Sequence, residues 1–146
     1  MIKSKRKVTR FVNYLFARYN VPRIPVYFHW HHTTVCNNDG RVGFGVFCSE
    51  GGEPPCIHVS CKTVKTSGAL YTFAHEFVHY LQYLHGWEIN NDEKSEAAAE
   101  YYGTGLVGQW LTNKKDKQIR IDGLLEVWND PPADAIERYR EAILWP

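Results

Sequence analysis

Apolar side chains recur at three- and four-residue steps near the start of the chain, the spacing that places them on one face of a helix. They are Val8, Phe11, Val12, Leu15, Phe16 and Tyr19. Pro22 should end this helix, because proline cannot donate a helical hydrogen bond. Residues 24–35 are mostly β-branched and aromatic, and Asn38-Asp39-Gly40 is a turn signal before Val42. The first third of the chain therefore predicts a helix followed by a β-hairpin of residues 24–35 and 42–47.

The middle of the chain predicts a short strand and a long helix. Ile57, His58, Val59 and Ser60 form the strand segment. Thr66-Ser67-Gly68 supplies polar residues suited to cap a helix from about Ala69 to His85, which should stop at Gly86. The predicted core-facing stripe of this helix consists of Phe73, Phe77, Leu81 and Leu84.

Two more helices are predicted in the second half of the chain. One begins after Asn90-Asn91-Asp92 and carries Ala97-Ala98-Ala99, whose small side chains allow a neighbouring helix to approach closely. The last runs from about Ala133 to Leu144. The element order predicts one α+β domain over residues 1–146, with a three- to four-stranded sheet. A length of 146 residues, 44% of them hydrophobic, is sufficient for one core.

The charge distribution narrows the function classes. Seventeen basic and 16 acidic residues give a net charge of +1, so the chain as a whole has no strong attraction for nucleic acid or anionic lipid. Its first 23 residues hold seven cations and no acid, which leaves nucleic-acid binding there as an alternative to a solvated helix face. We find neither a membrane-spanning apolar run nor a signal-peptide core, and we expect a cytoplasmic protein without membrane contact.

The segment His75-Glu76-Phe77-Val78-His79 matches H-E-x-x-H within the long predicted helix. Histidines four positions apart lie about 40° from each other around a helix and one turn along it, so both can reach one zinc ion. Glu76 lies about 100° from His75, where it can deprotonate a zinc-bound water without itself binding the metal. The motif therefore predicts a metallohydrolase site with Glu76 as the catalytic general base.

A catalytic zinc needs a third protein ligand, and His85 is the first candidate. It follows His75 by ten residues, as in H-E-x-x-H-x-x-G-x-x-H, but the glycine position of that pattern is Gln82. In an unbroken helix, His85 would point about 80° away from His75 and lie too far along the helix to share the ion.

Glu96 on the following helix is the preferred third ligand, and Glu93 is the alternative. A loop after Gly86 would let the second helix fold back and bring Glu96 to the histidines. Glu100, one turn later, is suited to accept a hydrogen bond from a ligand histidine and to fix its orientation. A solvated acidic helix start is the alternative interpretation of these carboxylates.

His75-Glu76-x-x-His79 followed by Glu96-x-x-Ala99-Glu100-x-Tyr102 resembles the gluzincin pattern. The resemblance is to small single-domain members, the minigluzincins and the ImmA/IrrE-like metallopeptidases of phages and mobile elements. It implies a zincin-like fold, one zinc ion held by His75, His79 and Glu96, and hydrolysis of a protein or peptide substrate. Small gluzincins tend to be latent. The chain departs from the pattern at Glu100, which is more often Asp or Asn, and at Gly103, which is often Ala.

In zincins generally, an edge strand before the zinc helix pairs with the extended substrate. The resemblance therefore implies this role for Ile57, His58, Val59 and Ser60. Tyr101, Tyr102 or His31 could stabilise the oxyanion or contact the substrate. The rival interpretation is a catalytically inactive or latent zinc-binding protein that acts as an interaction or regulatory module.

Other metal-ligating residue types and one glycine pattern remain. The four cysteines, Cys36, Cys48, Cys56 and Cys61, are expected to be reduced and lack the paired C-x2-C spacing of common structural zinc sites, which leaves a second metal site open. The run from His29 to His32 is interpreted as histidines on a sheet face, with a second metal site as the alternative. Residues 103–108 spell G-x-G-x-x-G, but they follow a helix, which argues against dinucleotide binding.

Overall fold

Four helices and two small sheets make up the part of the chain that the computed structural model describes, which is residues 5–36, 42–49, 54–62, 65–86, 93–112 and 131–144. The helices are α1 (Lys5–Arg18), α2 (Thr66–Leu84), α3 (Glu93–Thr112) and α4 (Ala133–Leu144). The strands are β1 (Val26–His29), β2 (Val35–Cys36), β3 (Val42–Gly43), β4 (Gly45–Cys48) and β5 (Cys56–Ser60). The predicted α+β class is confirmed.

The apolar stripe predicted for the first helix packs into the core, since all six of its residues are buried, five in α1 and Tyr19 directly after it. Phe16 contacts the aromatic ring of Phe77 on α2, with ring centroids 5.2 Å apart. Within α2, Phe73, Phe77 and Leu81 are completely buried. Leu84 was predicted to belong to the same stripe, but it is 38% exposed because it lies in the last turn, beyond the edge of the core.

The main sheet has the strand order β1-β5-β4, with β1 parallel and β4 antiparallel to β5. The predicted hairpin is correct only near its turn, where Val35 and Cys36 pair with Gly43 and Val42. Farther from the turn its two arms separate, because β5 lies between β1 and β4 and hydrogen-bonds with both. Asn38-Asp39-Gly40 lies outside the described residues.

Helix α2 begins three residues earlier than predicted. Thr66, Ser67 and Gly68 are helical, and Lys65 is the extended residue before them, without a side-chain capping hydrogen bond. The capping role predicted for residues 66–68 is therefore wrong. The prediction for the other end is confirmed: the helix ends at Leu84, and Gly86 takes a left-handed conformation with φ of 77°.

Helices α2 and α3 cross at very short range. Ala97, Ala98 and Ala99 are buried, as their small size predicted. At Gly103, a Cβ atom would lie 3.0 Å from the backbone nitrogen of His75, so the crossing requires a residue without a side chain. The segment 103–108 is part of α3, which removes the strand-to-helix turn that dinucleotide binding needs. None of the described helices combines the length and apolar character needed to cross a membrane.

Candidate metal centre

The crossing of α2 and α3 brings together the three predicted zinc ligands. The Nε2 atoms of His75 and His79 each lie 3.1 Å from a different oxygen of the Glu96 carboxylate. Potential ligand atoms of all three residues lie within 4.8 Å of one another. His79 is buried, and the side chains of His75 and Glu96 are only about one-fifth exposed. The cluster is therefore compact and largely shielded, with limited access from solvent.

His75 is held from both sides of its ring. Its Nε2 atom faces Glu96, and its Nδ1 atom lies 3.3 Å from an oxygen of Glu100. The Glu100 carboxylate accepts a hydrogen bond from Nδ1, which leaves Nε2 directed at the cluster. This is the contact predicted for Glu100.

His79 is oriented by two residues that the sequence did not single out for this task. Its Nδ1–H donates to the side-chain oxygen of Gln82 over 2.9 Å. The same oxygen accepts from the Ser95 hydroxyl, and the amide nitrogen of Gln82 donates to the Ser95 carbonyl. Both Gln82 and Ser95 are fully buried. Their hydrogen bonds direct Nε2 of His79 toward Glu96.

Glu76 lies beside the ligands but outside the cluster of ligand atoms. Its carboxyl is buried and accepts a hydrogen bond from the backbone N–H of Phe47 on β4. Gly45, two residues earlier on β4, makes room for it: a Cβ there would lie 2.9 Å from Cγ of Glu76 and 2.6 Å from Cγ2 of Thr72. Strand β4 thus supports the carboxyl that the motif assigns as general base.

The charges in the cluster are strongly coupled. Burial opposes a proton on His75, but hydrogen bonds to Glu100 and Glu96 outweigh it and raise the pKa of His75 to about 10. Burial also opposes ionisation of Glu96, but hydrogen bonds from His75 and His79 hold its pKa well below the usual range. For Glu76, burial raises the pKa, although the two histidines act against this. These opposite pKa shifts favour a charged His75–Glu96 pair when no metal is bound.

The other two candidates for the third ligand, His85 and Glu93, lie outside the ligand cluster. His85 caps the end of α2 and is exposed, and it does not belong to the ligand cluster. Glu93 is ion-paired with Arg140 on α4 at 2.5 Å, a contact that fastens α4 to the start of α3. Glu96 is therefore the carboxylate that the packing brings to the histidines.

The substrate-strand prediction is corrected by the sheet order. Ile57, His58, Val59 and Ser60 lie in β5, the central strand, which is hydrogen-bonded to β1 on one side and β4 on the other. A central strand cannot add a peptide at its edge, because its backbone groups are already paired. Within the described sheet, β4 is the edge strand nearest Glu76.

A groove of about 740 Å³ opens beside Glu100 between α3, α4 and the end of α1. Tyr101 and Tyr102 line it, as does Tyr139 of α4, which the sequence did not single out. Burial, followed by the charges of Glu96, Glu93 and Glu100, raises the pKa of Tyr139, which keeps its phenol protonated near the carboxylates. His31 lies in the exposed turn after β1, and its substrate contact stays a prediction.

The three ligands fit zinc. Two imidazole nitrogens, one carboxylate and an open position are a common ligand set of catalytic zinc. Tetrahedral ligands at about 2.0 to 2.1 Å from the metal lie about 3.3 Å from one another, close to the 3.1 Å between the Glu96 oxygens and the two Nε2 atoms. The three side chains are therefore within reach of one ion, and Glu96 directs one oxygen toward each histidine.

Comparisons with protein-family models, curated proteins and solved structures find no match to this chain. The assignment of the site therefore depends on the geometry and chemistry of its residues.

Proposed function

We propose that the protein is a zincin-like, zinc-dependent peptidase of the gluzincin type. The observation that carries this proposal is the position of the Glu96 carboxylate, which reaches both histidines of the H-E-x-x-H helix at 3.1 Å. Two facts add support: Glu76 is buried next to the ligands without joining them, and Glu100 and Gln82 orient the two imidazoles.

His75, His79 and Glu96 would hold the ion. Bound zinc supplies a Lewis acid that polarises the substrate carbonyl and lowers the pKa of water. Glu76 would accept the proton of the attacking water and pass it to the departing amine, as expected for a carboxylate whose pKa burial has raised. Glu100 and Gln82 would keep the ring nitrogens of the histidines directed at the ion.

The substrate backbone would pair with the edge of β4. This strand ends the sheet within the described residues and contacts Glu76 through Gly45 and Phe47. An extended peptide added there would pass its scissile bond near the general base. At Gly45 the strand backbone packs directly against α2, since a Cβ there would lie 2.6 Å from Cγ2 of Thr72 and 2.9 Å from Cγ of Glu76.

Zinc content is the first test of the ligand set. We expect the Glu96→Ala protein to bind one zinc ion fewer per chain than the wild type, measured by elemental analysis after purification without a histidine-rich tag. The matched control is His85→Ala, which removes an exposed imidazole at the end of α2 and should leave the zinc content unchanged. Equal zinc in Glu96→Ala and wild type would contradict the ligand assignment.

Hydrolysis by a Glu76→Gln variant tests the catalytic role. With zinc bound and a fluorescently labelled, unfolded casein as the probe, the rate should fall by about 100- to 10,000-fold, the usual contribution of a general base. Its zinc content should match that of the wild type, because Glu76 is not a ligand. If the zinc-loaded wild type cleaves neither casein nor a mixed peptide library, the non-catalytic zinc-binding interpretation is favoured instead.

A further inference from the structure

A second group of metal-ligating side chains lies on the opposite face of the main sheet. Ile57 and Val59 of β5 point into the core and are completely buried. The alternate residues Cys56 and His58 therefore point to the other face, where both are partly exposed. Cys48 lies directly opposite Cys56 in the register of β4 and β5. The sheet separates this group from the helices that carry the His-Glu cluster.

The geometry points to a second zinc site formed by Cys48, Cys56 and His58, and we propose it as a site independent of the peptidase function. Ligand atoms of the three residues lie within 4.8 Å of one another. Two thiolates and an imidazole are soft and borderline ligands that favour zinc over magnesium or calcium. Three protein ligands would leave a fourth position for water or another small ligand.

One distance within the group is already close to the value that zinc requires. Sγ of Cys56 lies 3.4 Å from Nε2 of His58. A tetrahedral zinc with sulfur at about 2.3 Å and nitrogen at about 2.0 Å would separate these two ligands by about 3.5 Å. The backbone already presents both ligands, because positions two apart on a strand share a face.

His29 on β1 supports the ligand ring of His58. Its Nε2 atom lies 2.8 Å from Nδ1 of His58, and the two rings stack with centroids 5.1 Å apart. Tyr27 also stacks on His58 at 5.0 Å. A hydrogen bond from Nδ1–H of His58 to His29 leaves Nε2 with its lone pair directed at the sulfur atoms, the arrangement usual for a ligand histidine.

Cobalt spectroscopy separates this site from the His-Glu cluster. Of the two ligand groups, the sheet site contains cysteines and the His-Glu cluster does not. Thiolate-to-cobalt charge-transfer absorption in the near ultraviolet would therefore report on the sheet site alone. We expect this absorption when the reduced, metal-free protein is titrated with Co²⁺, and we expect it to vanish when Zn²⁺ is added. Glu96→Ala should keep the absorption, whereas Cys48→Ser and Cys56→Ser should each lose it and bind zinc at this site at least about 100-fold more weakly.

The matched control is Cys61→Ser, which removes a buried thiol outside the ligand group and should keep the absorption. A wild-type protein without the absorption, or with absorption that survives both Cys48→Ser and Cys56→Ser, would overturn the proposal. The same would follow if the two thiols formed a disulfide in air and bound no zinc after reduction.

A second measurement uses only the wild-type protein, so its result does not depend on whether a variant folds. The reduced wild type would be alkylated with iodoacetamide, with and without one equivalent of zinc beyond that held by the His-Glu cluster, and mapped by mass spectrometry. Zinc should slow modification of Cys48 and Cys56 at least about tenfold. Equal rates with and without zinc would contradict the site.

Discussion

The two clusters of metal-ligating residues differ in how the chain builds them. In the cluster between α2 and α3, His75 and His79 come from one turn of a helix and Glu96 is added by the packing of a second helix. In the cluster on the outer face of the sheet, Cys56 and His58 come from one strand and Cys48 is added by strand register. Each cluster thus combines a local pair with one ligand from a neighbouring element.

The clusters also differ in what holds them together. The helix cluster is shielded from solvent and contains carboxylates, so charge attraction orders it before any metal binds. The sheet cluster is partly exposed and contains no carboxylate among its three residues. Charge therefore stabilises the first arrangement, and backbone hydrogen bonding stabilises the second. Variants and conditions that affect only one of these causes should change only one cluster.

The largest expected effect is the pH dependence of the metal-free protein. The pKa of His75 is about 10 in the fold and 6.5 in the unfolded reference, so the folded chain holds the extra proton between these values. Its stabilisation is fully present below pH 6.5 and is lost as the pH rises toward 10. We expect the free energy of unfolding in urea, with chelator present, to fall by about 3 to 5 kcal/mol across this range.

A His75→Asn variant is the control for this pH effect, because it cannot gain or lose the proton. Its curve of unfolding free energy against pH should be flatter than that of the wild type over the same interval. Parallel curves for the two proteins would show that the network around His75 does not hold a proton in the fold.

The next effect concerns the helix crossing. A Gly103→Ala substitution places a Cβ about 3.0 Å from the backbone of His75, which must push α3 away from α2. We expect a loss of about 2 to 3 kcal/mol in unfolding free energy and weaker zinc binding at the helix cluster, measured by urea unfolding and zinc titration. The thiolate-to-cobalt absorption of the sheet cluster should not change.

Gly105→Ala is the matched control for the crossing, because the same helix has nothing within 4 Å of a Cβ at that position. Replacing an exposed helical glycine by alanine should stabilise the chain by about 0.5 to 1 kcal/mol. If Gly103→Ala and Gly105→Ala behaved alike, the close crossing would not be what sets the position of Glu96.

The sequence predicts the parts of the fold that depend on local pattern. The buried face of α1, the left-handed Gly86 and the span of α4 were all correct, because periodicity and end signals act over a few residues. Strand order was not predicted. The hairpin signal at 38–40 gives no information about β5, which begins eight residues after the end of β4 and lies between the two arms.

The same distinction between local pattern and long-range packing explains which residues of the candidate site could be predicted. The H-E-x-x-H histidines are local, and Glu96 could be proposed because a short loop returns the next helix. In the sequence, Gln82 stands out only because it occupies the glycine position of H-E-x-x-H-x-x-G-x-x-H. Its hydrogen bond to His79 depends on which side of α2 meets Ser95, and the sequence pattern does not indicate this. Likewise, Cys48 and Cys56 become neighbours only through strand register, and their spacing in sequence matches no common zinc motif.

Removing the hydrogen-bond acceptor of His79 should weaken zinc binding less than displacing α3 does. A Gln82→Met variant keeps the shape of the buried side chain but loses the acceptor for His79. We expect its zinc affinity at the helix cluster to fall by about 10- to 100-fold, the usual cost of losing such a partner, measured by competition with a chelating dye. Gln109→Met, on the exposed side of α3, should leave the affinity unchanged, and an equal fall in both would contradict this role.

The smallest expected effect concerns the sheet cluster. A His29→Phe substitution preserves a ring that can stack on His58 but removes the acceptor for its Nδ1–H. Because the strand backbone still presents the ligands, we expect cobalt binding at the sheet cluster to weaken only about tenfold, the lower end of the usual cost of losing such a partner. His32→Phe, which alters the exposed neighbour of His29, is the control and should have no effect. A loss as large as that of Cys56→Ser would instead make His29 a ligand and would show that backbone register alone does not determine this cluster.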